Sequence, residues 1–214
     1  MDIIERLLAI TELGSRWVLW LLVGLSIAAL AVVIERAVLF SSSREDTARL
    51  RAELRRLLRD DDWELARRRL QESPSFEARV AAAGLDAPGV ASAEERMQGE
   101  SELCRLSMEK NLALLGTLGN NAPFVGLLGT VIGIVRSFHA LQSSSGQVSA
   151  GLMAEIGEAL VSTAIGLLVA LPAVAAFNLF QRLIRARMGG ATALAHEVLA
   201  FMKAESPRPS GAER

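Results

Sequence analysis

Three long runs without a charged residue constrain this chain more than any other feature. They cover residues 17–34, 111–135 and 159–181, and no fourth run of this length is both uncharged and predominantly apolar. A hydrocarbon core about 30 Å thick requires about 20 such residues in each helix that crosses it. We therefore predict an all-α integral membrane protein with three transmembrane helices, and not a large soluble protein that buries three apolar helices in its core.

The first run could in principle belong to a secretory signal peptide. Such a signal needs a basic segment before the apolar run and a cleavage site of small residues after it. The preceding segment MDIIERLLAITELGSR carries three acids against two arginines, and no convincing cleavage site follows. We therefore predict that the first helix is retained.

Charge outside the runs predicts the orientation of the helices. Residues 41–110 carry many basic side chains, and Arg182, Arg185 and Arg187 follow the third run closely. The link 137–154 contains no Lys, Arg, Asp or Glu. Because basic residues favour the cytoplasmic side, residues 41–110 and the C-terminus are predicted in the cytoplasm, with the N-terminus and the link on the other side.

The segment 41–110 is typical of a soluble helical domain. Leu50, Leu54, Leu57 and Leu58 share one helical face, and Asp61 with Glu64 predicts a helix start. From about residue 91 the sequence predicts one helix as far as 139, about 70 Å long, and the third membrane helix is predicted over 151–188, about 57 Å long. Both lengths exceed the bilayer, so both helices should extend into the cytoplasm.

Composition excludes several classes of function. A net charge of −1 and the lack of tyrosine argue against nucleic-acid binding. A single cysteine excludes a disulfide scaffold and a cysteine-based zinc cluster. The runs contain no aspartate, as an aspartyl intramembrane protease would require. We expect neither an enzyme nor a cofactor or metal site.

Small and polar residues distinguish the second run from a plain membrane anchor. Gly126, Gly129 and Gly133 lie close to one face, and Thr130 shares it. Small residues let helices approach closely in lipid, where burial of apolar surface contributes little. The stripe fits close packing within one subunit as well as the wall of a conducting path.

The third run carries acids at its start. On a helical wheel Ser162 lies about 40° from Glu158, and Pro172 shares that broad face, whereas Thr163 points about 140° away toward another neighbour. A carboxylate at membrane depth is costly unless it faces water or a partner, so Glu158 is a candidate functional residue. Glu155 is explained equally well as an interfacial acid at a helix N-terminus.

Two blocks of sequence resemble the MotA/TolQ/ExbB proton channel family. They are APFVGLLGTVIGIVRSFHAL at 122–141 and IGEALVSTAIGLLVALPAVAAFNLF at 156–180. The three predicted helices and the long cytoplasmic segment match the TolQ/ExbB branch. The resemblance implies a homopentamer in the bacterial inner membrane, with the second and third helices around a central pore.

The resemblance also implies partner subunits and a conversion of proton flow into mechanical work. Two single-pass TolR/ExbD-type subunits, each with a membrane aspartate, would sit in the pore, and proton flow would drive motion. That motion would serve TonB- or TolA-like effectors, so the chain would be the stator subunit of an energy-transducing motor. A gliding-motility stator and a non-conducting membrane scaffold remain the alternatives.

Residue roles follow from the matching motif positions. Glu158 corresponds to the family's pore glutamate, and Thr130 and Thr163 to its pathway threonines. Further candidates, for pore lining or helix packing, are Ser162, Gly126, Gly129, Gly133 and Pro172.

The expected organisation is a periplasmic N-terminal amphipathic segment (1–16), membrane helix 1 (17–40), a cytoplasmic helical domain (41–110), membrane helix 2 (111–138), a short periplasmic loop (139–150), membrane helix 3 with a cytoplasmic extension (151–188) and a cytoplasmic tail (189–214).

Overall fold

The protein is helical throughout the residues that the structure, a computed structural model, describes: 16–143 and 150–205. Within these ranges seven helices and no strand are present: α1 (Arg16–Ser42), α2 (Thr47–Arg59), α3 (Trp63–Gln71), α4 (Phe76–Leu85), α5 (Val90–Glu109), α6 (Leu112–Ser143) and α7 (Ala150–Glu205). The predicted all-α fold is confirmed. The predicted N-terminal segment up to residue 15, the link over 144–149 and the end of the tail from 206 lie outside the described residues.

The chain divides into two compact units. Among the described residues, an apolar unit comprises 16–34, 111–143 and 150–179, and a polar unit comprises 35–110 and 180–205. The helices α1, α6 and α7 are long and apolar enough to cross a membrane. This agrees with the three membrane helices predicted from the uncharged runs.

The apolar unit has a small core and an apolar outer surface. Its buried core consists of Val18, Leu22, Ala122, Ile132, Val169 and Ala170. Large apolar side chains such as Trp20, Phe124 and Leu168 are exposed by 68% or more. A soluble protein rarely leaves so much apolar surface to water, whereas in lipid such side chains are solvated.

The polar unit has a conventional amphipathic core. Leu50, Leu54 and Leu58 of α2 are buried, as the leucine spacing predicted, and the basic side chains occupy the other face. The second half of α7 contributes Leu194 and Val198, both with no exposed area. Burial of this leucine-rich face is the main source of stability for short helices that would not persist alone.

Ion pairs tie α7 to the rest of the polar unit. Arg187 Nη1 lies 3.2 Å from Glu77 Oε1, and the Glu77 side chain is 2% exposed. Glu197 accepts hydrogen bonds from both Arg51 and Arg55 of α2. Burial of Glu197 would raise its pKa, but the hydrogen bonds from the two arginines outweigh burial and hold the pKa below its usual value.

The single helix predicted over 91–139 is wrong, because the chain breaks between α5 and α6. Lys110 caps α5, and Asn111 adopts a positive φ of 61° before α6 begins. Arg36 of α1, which is 4% exposed, donates to the Ser107 carbonyl at 2.8 Å and to the Met108 carbonyl at 3.4 Å. A buried guanidinium therefore satisfies carbonyls that the break leaves at the end of α5.

Two other helix ends differ from the expectations. Asp62, and not Asp61, caps α3 by accepting from the Leu65 amide, while Asp61 has a positive φ of 61°. The last helix does not end near 188 but continues to Glu205, because Leu194 and Val198 extend its apolar face into the polar unit.

Candidate functional site

The helices α6 and α7 run antiparallel, and small residues set their separation. A Cβ placed on Gly126 would lie 2.6 Å from the Ser162 carbonyl oxygen and 3.1 Å from the Gly166 Cα. A Cβ on Gly133 would lie 2.4 Å from the Ala159 Cβ. These approaches leave no space for a side chain, so we call this glycine-lined contact the α6–α7 seam.

The seam holds a pair of threonines. The hydroxyl oxygens of Thr130 and Thr163 are 2.5 Å apart, and both side chains are partly buried. The Thr130 hydroxyl also lies 2.8 Å from the Ala159 carbonyl, and the Thr163 hydroxyl lies 3.3 Å from the Gly126 carbonyl. The pair therefore forms a hydrogen-bonded bridge between two helices whose surroundings are otherwise apolar.

Ser162 lies on a different side of α7 from Thr163. Its side chain has no exposed area, and its hydroxyl donates to the Glu158 carbonyl one turn earlier at 3.2 Å. A Cβ placed on Gly129 would lie 2.7 Å from the Ser162 Cβ and 3.1 Å from the Cγ1 of Val18 in α1. Ser162 and Gly129 are thus packing residues at the point where the three helices meet.

Each acid at the start of α7 pairs with an arginine from another helix. Arg16 Nε of α1 is 3.5 Å from Glu158 Oε2, and the Glu158 side chain is 28% exposed. Arg136 Nη2 of α6 is 3.5 Å from Glu155 Oε1. The second Glu155 oxygen is buried and has no hydrogen-bond partner among the described residues.

The structure brings the two threonines together but places Glu158 elsewhere on the helix. Glu158 lies beside α1, whereas Thr163 faces α6. Thr163 is five positions after Glu158, which corresponds to about 7.5 Å of rise along α7. Pro172 lies inside α7 on an exposed face, and the helix continues through it.

Arg16 and Arg136 are site residues that the sequence patterns did not predict. Both lie at the edge of an uncharged run, which was the available signal, but the choice of partner depends on helix packing. Within the described ranges, no group of three or more His, Cys, Asp and Glu residues could hold a metal ion. The interhelical polar groups of this unit include the hydroxyls of Thr130 and Thr163 and the carboxylates of Glu155 and Glu158.

Three membrane-length helices with hydroxyls and acids between them define a polytopic membrane protein with polar groups at its helix contacts. The family model described as "MotA/TolQ/ExbB proton channel family" matches residues 67–190, which is more than half of the chain. The chain belongs to this family, as the two sequence blocks indicated.

Curated relatives align with a part of the chain. A "Putative biopolymer transport protein ExbB-like 2" from Helicobacter pylori is 47% identical over 77 residues, which are 36% of this chain and 51% of that protein. The "Biopolymer transport protein ExbB" from Xanthomonas campestris pv. campestris is 39% identical over 94 residues, 44% of this chain and 37% of that protein. The "Tol-Pal system protein TolQ" from Pseudomonas aeruginosa is 46% identical over 74 residues, 35% of this chain and 32% of that protein. The chain thus spans from about a third to about half of the length of these relatives.

Proposed function

We propose that this chain is the proton-channel subunit of a motor in the bacterial inner membrane. It converts proton-motive force into mechanical work through a single-pass TolR/ExbD-type partner and serves TonB- or Tol-type energy transduction in the cell envelope. It acts as a transducer and not as an enzyme. The observation that carries the proposal is the Thr130–Thr163 pair, which sets two hydroxyls between membrane-length helices of a chain in this family.

The hydroxyl pair supports proton transfer because each hydroxyl both donates and accepts. A proton that enters from the periplasmic side binds the aspartate that the partner brings to this part of the pore. Neutralisation frees the aspartate from its hydroxyl-lined position, so the partner moves past apolar wall to the next subunit. The chain contributes hydroxyls, a fixed acid at Glu158 and a wall of Leu, Val and Ala residues that stays dry without the partner.

The assembly proposed is a homopentamer around two partner subunits. A single copy leaves large apolar side chains of α6 and α7 exposed, including Phe124, Leu168 and Leu171. In a pentamer these faces contact lipid, a neighbouring copy or the partner. The N-terminus and the link between α6 and α7 are placed in the periplasm, and the polar unit in the cytoplasm.

The test is proton flux through the full chain reconstituted with its TolR/ExbD-type partner. Glu158→Gln and Thr163→Val are compared with Glu155→Gln, which removes the other acid of α7. We expect Glu158→Gln to abolish the flux driven by an imposed proton gradient, Thr163→Val to reduce it at least tenfold, and Glu155→Gln to retain most of it. Size-exclusion chromatography of the same preparations checks that the assembly with the partner is intact.

Full flux in Glu158→Gln would remove this carboxylate from the pathway. Lack of gradient-driven flux in the unmodified, correctly assembled complex would overturn the proposal and favour a non-conducting scaffold. A motility defect in cells that lack the gene, with envelope transport unchanged, would instead favour the gliding-motility stator.

A further inference from the structure

We infer that Arg182 and Arg185 of α7 bind the headgroup phosphate of an anionic phospholipid. Arg182 is the first charged residue after the third uncharged run, which ends at residue 181. Both arginines are exposed, and neither forms an ion pair among the described residues. The inference goes beyond the proposed function, because it requires only that the long apolar helices lie in a membrane.

The two arginines share the outer face of α7, and we call them the headgroup site. They are three positions apart, which corresponds to about 60° around the helix and about 4.5 Å along it. Ile184 between them faces the core and is 2% exposed. Because residues three positions apart are neighbours on a helix surface, both guanidinium groups can reach one phosphate. Each guanidinium also presents a planar set of donors that matches two phosphate oxygens.

The packing of the polar unit brings a third cation to the same region. Phe180 of α7 stacks on Phe40 of α1, with the ring centroids 5.7 Å apart. Arg182 follows Phe180 by two residues, and Arg44 follows Phe40 by four. Arg44 is exposed, and it has no ion pair within the part of the chain that the structure describes. Arg44 therefore adds positive charge beside the headgroup site.

The two acids that follow Arg44 do not neutralise this charge. Glu45 contacts Arg69 of α3 at 2.6 Å, and burial of the Glu45 side chain leaves 18% of it exposed. Asp46 accepts hydrogen bonds from the amides of Ala48 and Arg49 at the start of α2. Both carboxylates are thus engaged within the polar unit, and the surface near the end of α1 stays positive.

The position of the headgroup site favours a lipid over a phosphate free in water. The run 159–181 is long enough to cross a hydrocarbon core about 30 Å thick, so the residues that follow it reach the layer of headgroups. The long arginine stem lets the guanidinium remain in that layer. Basic residues beside a membrane helix attract anionic lipids. We therefore expect a preference for phosphatidylglycerol over phosphatidylcholine, whose choline group carries a positive charge.

Native mass spectrometry of the full chain tests the inference. The purified chain is placed in detergent micelles that contain equal amounts of phosphatidylglycerol and phosphatidylcholine with the same acyl chains. The ratio of the two lipids that remain bound to the chain is then measured. The test variant combines Arg182→Gln and Arg185→Gln.

The matched control variant combines Arg59→Gln and Arg68→Gln. Both arginines are exposed and lack an ion pair among the residues described, as in the headgroup site. Arg59 ends α2 one turn after Arg55, which contacts Glu197. Glu197 lies about 22 Å further along α7 than the start of the headgroup site. Arg68 of α3 lines a cavity with Leu57 of α2, so the control removes two charges from the other end of the polar unit.

We expect the unmodified chain and the control variant to prefer phosphatidylglycerol at least fivefold, and the test variant to fall within twofold of no preference. If the test variant fails to assemble, Arg182→Gln and Arg185→Gln are measured singly, and each should lower the preference. An unchanged preference without these arginines, or an equal loss in the control, would overturn the inference.

Two other results would also overturn it. Displacement of phosphatidylglycerol by inorganic phosphate at the same concentration would assign the arginines to the free anion. If the arginines paired instead with acids of a neighbouring copy, the test variant would shift the oligomer in size-exclusion chromatography and leave the lipid ratio unchanged. The readout does not require proton flux, so failure of the proposed function would not alter this result.

Discussion

Thr130 has one hydroxyl proton and three oxygen atoms within reach. The Thr163 hydroxyl is 2.5 Å away, the Ala159 carbonyl 2.8 Å and the Gly126 carbonyl 3.4 Å. If the Thr130 hydroxyl donates to the Ala159 carbonyl, the Thr163 hydroxyl can donate to the Thr130 oxygen. Both hydroxyl protons then form hydrogen bonds within the seam. The same geometry explains how the pair links two helices, and under the proposed function the pair passes a proton by reorienting both hydroxyls.

Removing the Thr130 hydroxyl should weaken the seam. Thr130→Val keeps the shape of the side chain but leaves the Thr163 hydroxyl and the Ala159 carbonyl without this partner. We expect a loss of about 1 kcal/mol in stability, since hydrogen bonds between membrane helices contribute about 0.6 to 1.7 kcal/mol. Thermal unfolding of the purified chain in detergent measures this loss.

Thr130→Ser is the control for the hydroxyl. It retains the donor and the acceptor and removes one methyl group, so its midpoint should lie closer to that of the unmodified chain than the midpoint of Thr130→Val. Equal midpoints for the two variants would mean that the hydrogen bonds of the pair contribute nothing measurable to helix association.

At the scale of elements, the α6–α7 seam depends on backbone contact. Gly126→Ala would place a Cβ 2.6 Å from the Ser162 carbonyl oxygen, and a backbone atom cannot move aside as a flexible side chain can. We expect the helices to separate locally, with a fall in unfolding midpoint larger than that of Thr130→Val and a loss of proton flux.

Gly24→Ala is the matched control, because nothing lies within 4 Å of its Cβ position and alanine favours the helix. A seam variant as stable as this control would show that the close approach is not required.

The polar unit should lose stability in acid. The pKa of Glu197 is lower in the folded protein than its ordinary value of 4.5, because hydrogen bonds from Arg55 and Arg51 outweigh the effect of burial. A depressed folded-state pKa contributes stability above the unfolded value, and this contribution is lost as the pH falls through the folded value. The unfolding midpoint of α2 to α5, followed through an introduced fluorescent probe, should fall between pH 6 and pH 3.

Glu197→Gln should flatten that pH dependence while lowering the midpoint at neutral pH. Glu95→Gln, which changes an exposed acid of α5, should leave the pH dependence as in the unmodified chain. If the stability of Glu197→Gln fell in acid as much as that of the unmodified chain, the loss would come from other carboxylates. Glu45, which contacts Ser73 and Arg69, is one of them.

Helix positions were predictable from local pattern where one physical signal dominates. The three uncharged runs predicted α1, α6 and α7, and the wheel of the third run separated Thr163 from the Glu158 side. The break at Asn111 was missed because it has neither Gly nor Pro. It depends on the tolerance of asparagine for positive φ and on Arg36, which reaches the end of α5 from another helix. The Arg16–Glu158 contact was missed because it depends on how two helices pack, and a helical wheel contains no information about neighbouring helices.

At the scale of the whole molecule, the family match includes two of the three membrane-length helices. The match covers residues 67–190 and therefore includes both α6 and the membrane half of α7, but not α1. Arg16 and the core residues Val18 and Leu22 belong to the part that the match leaves out.

The orientation predicted from charge can be tested by cysteine labelling. Cys104 is the chain's single cysteine, and burial raises the pKa of its thiol to about 11, so it should react slowly at neutral pH. In a Cys104→Ser background, Gln142→Cys should react with a membrane-impermeant maleimide added to cells with a permeable outer membrane. Arg59→Cys should react only after the inner membrane is opened, because the basic segments around the polar unit favour the cytoplasmic side.

The predicted topology would be wrong, and the opposite one correct, if Arg59→Cys were labelled before the inner membrane is opened while Gln142→Cys was protected. The proton entry proposed above would then lie on the opposite side of the membrane from the Arg16–Glu158 pair.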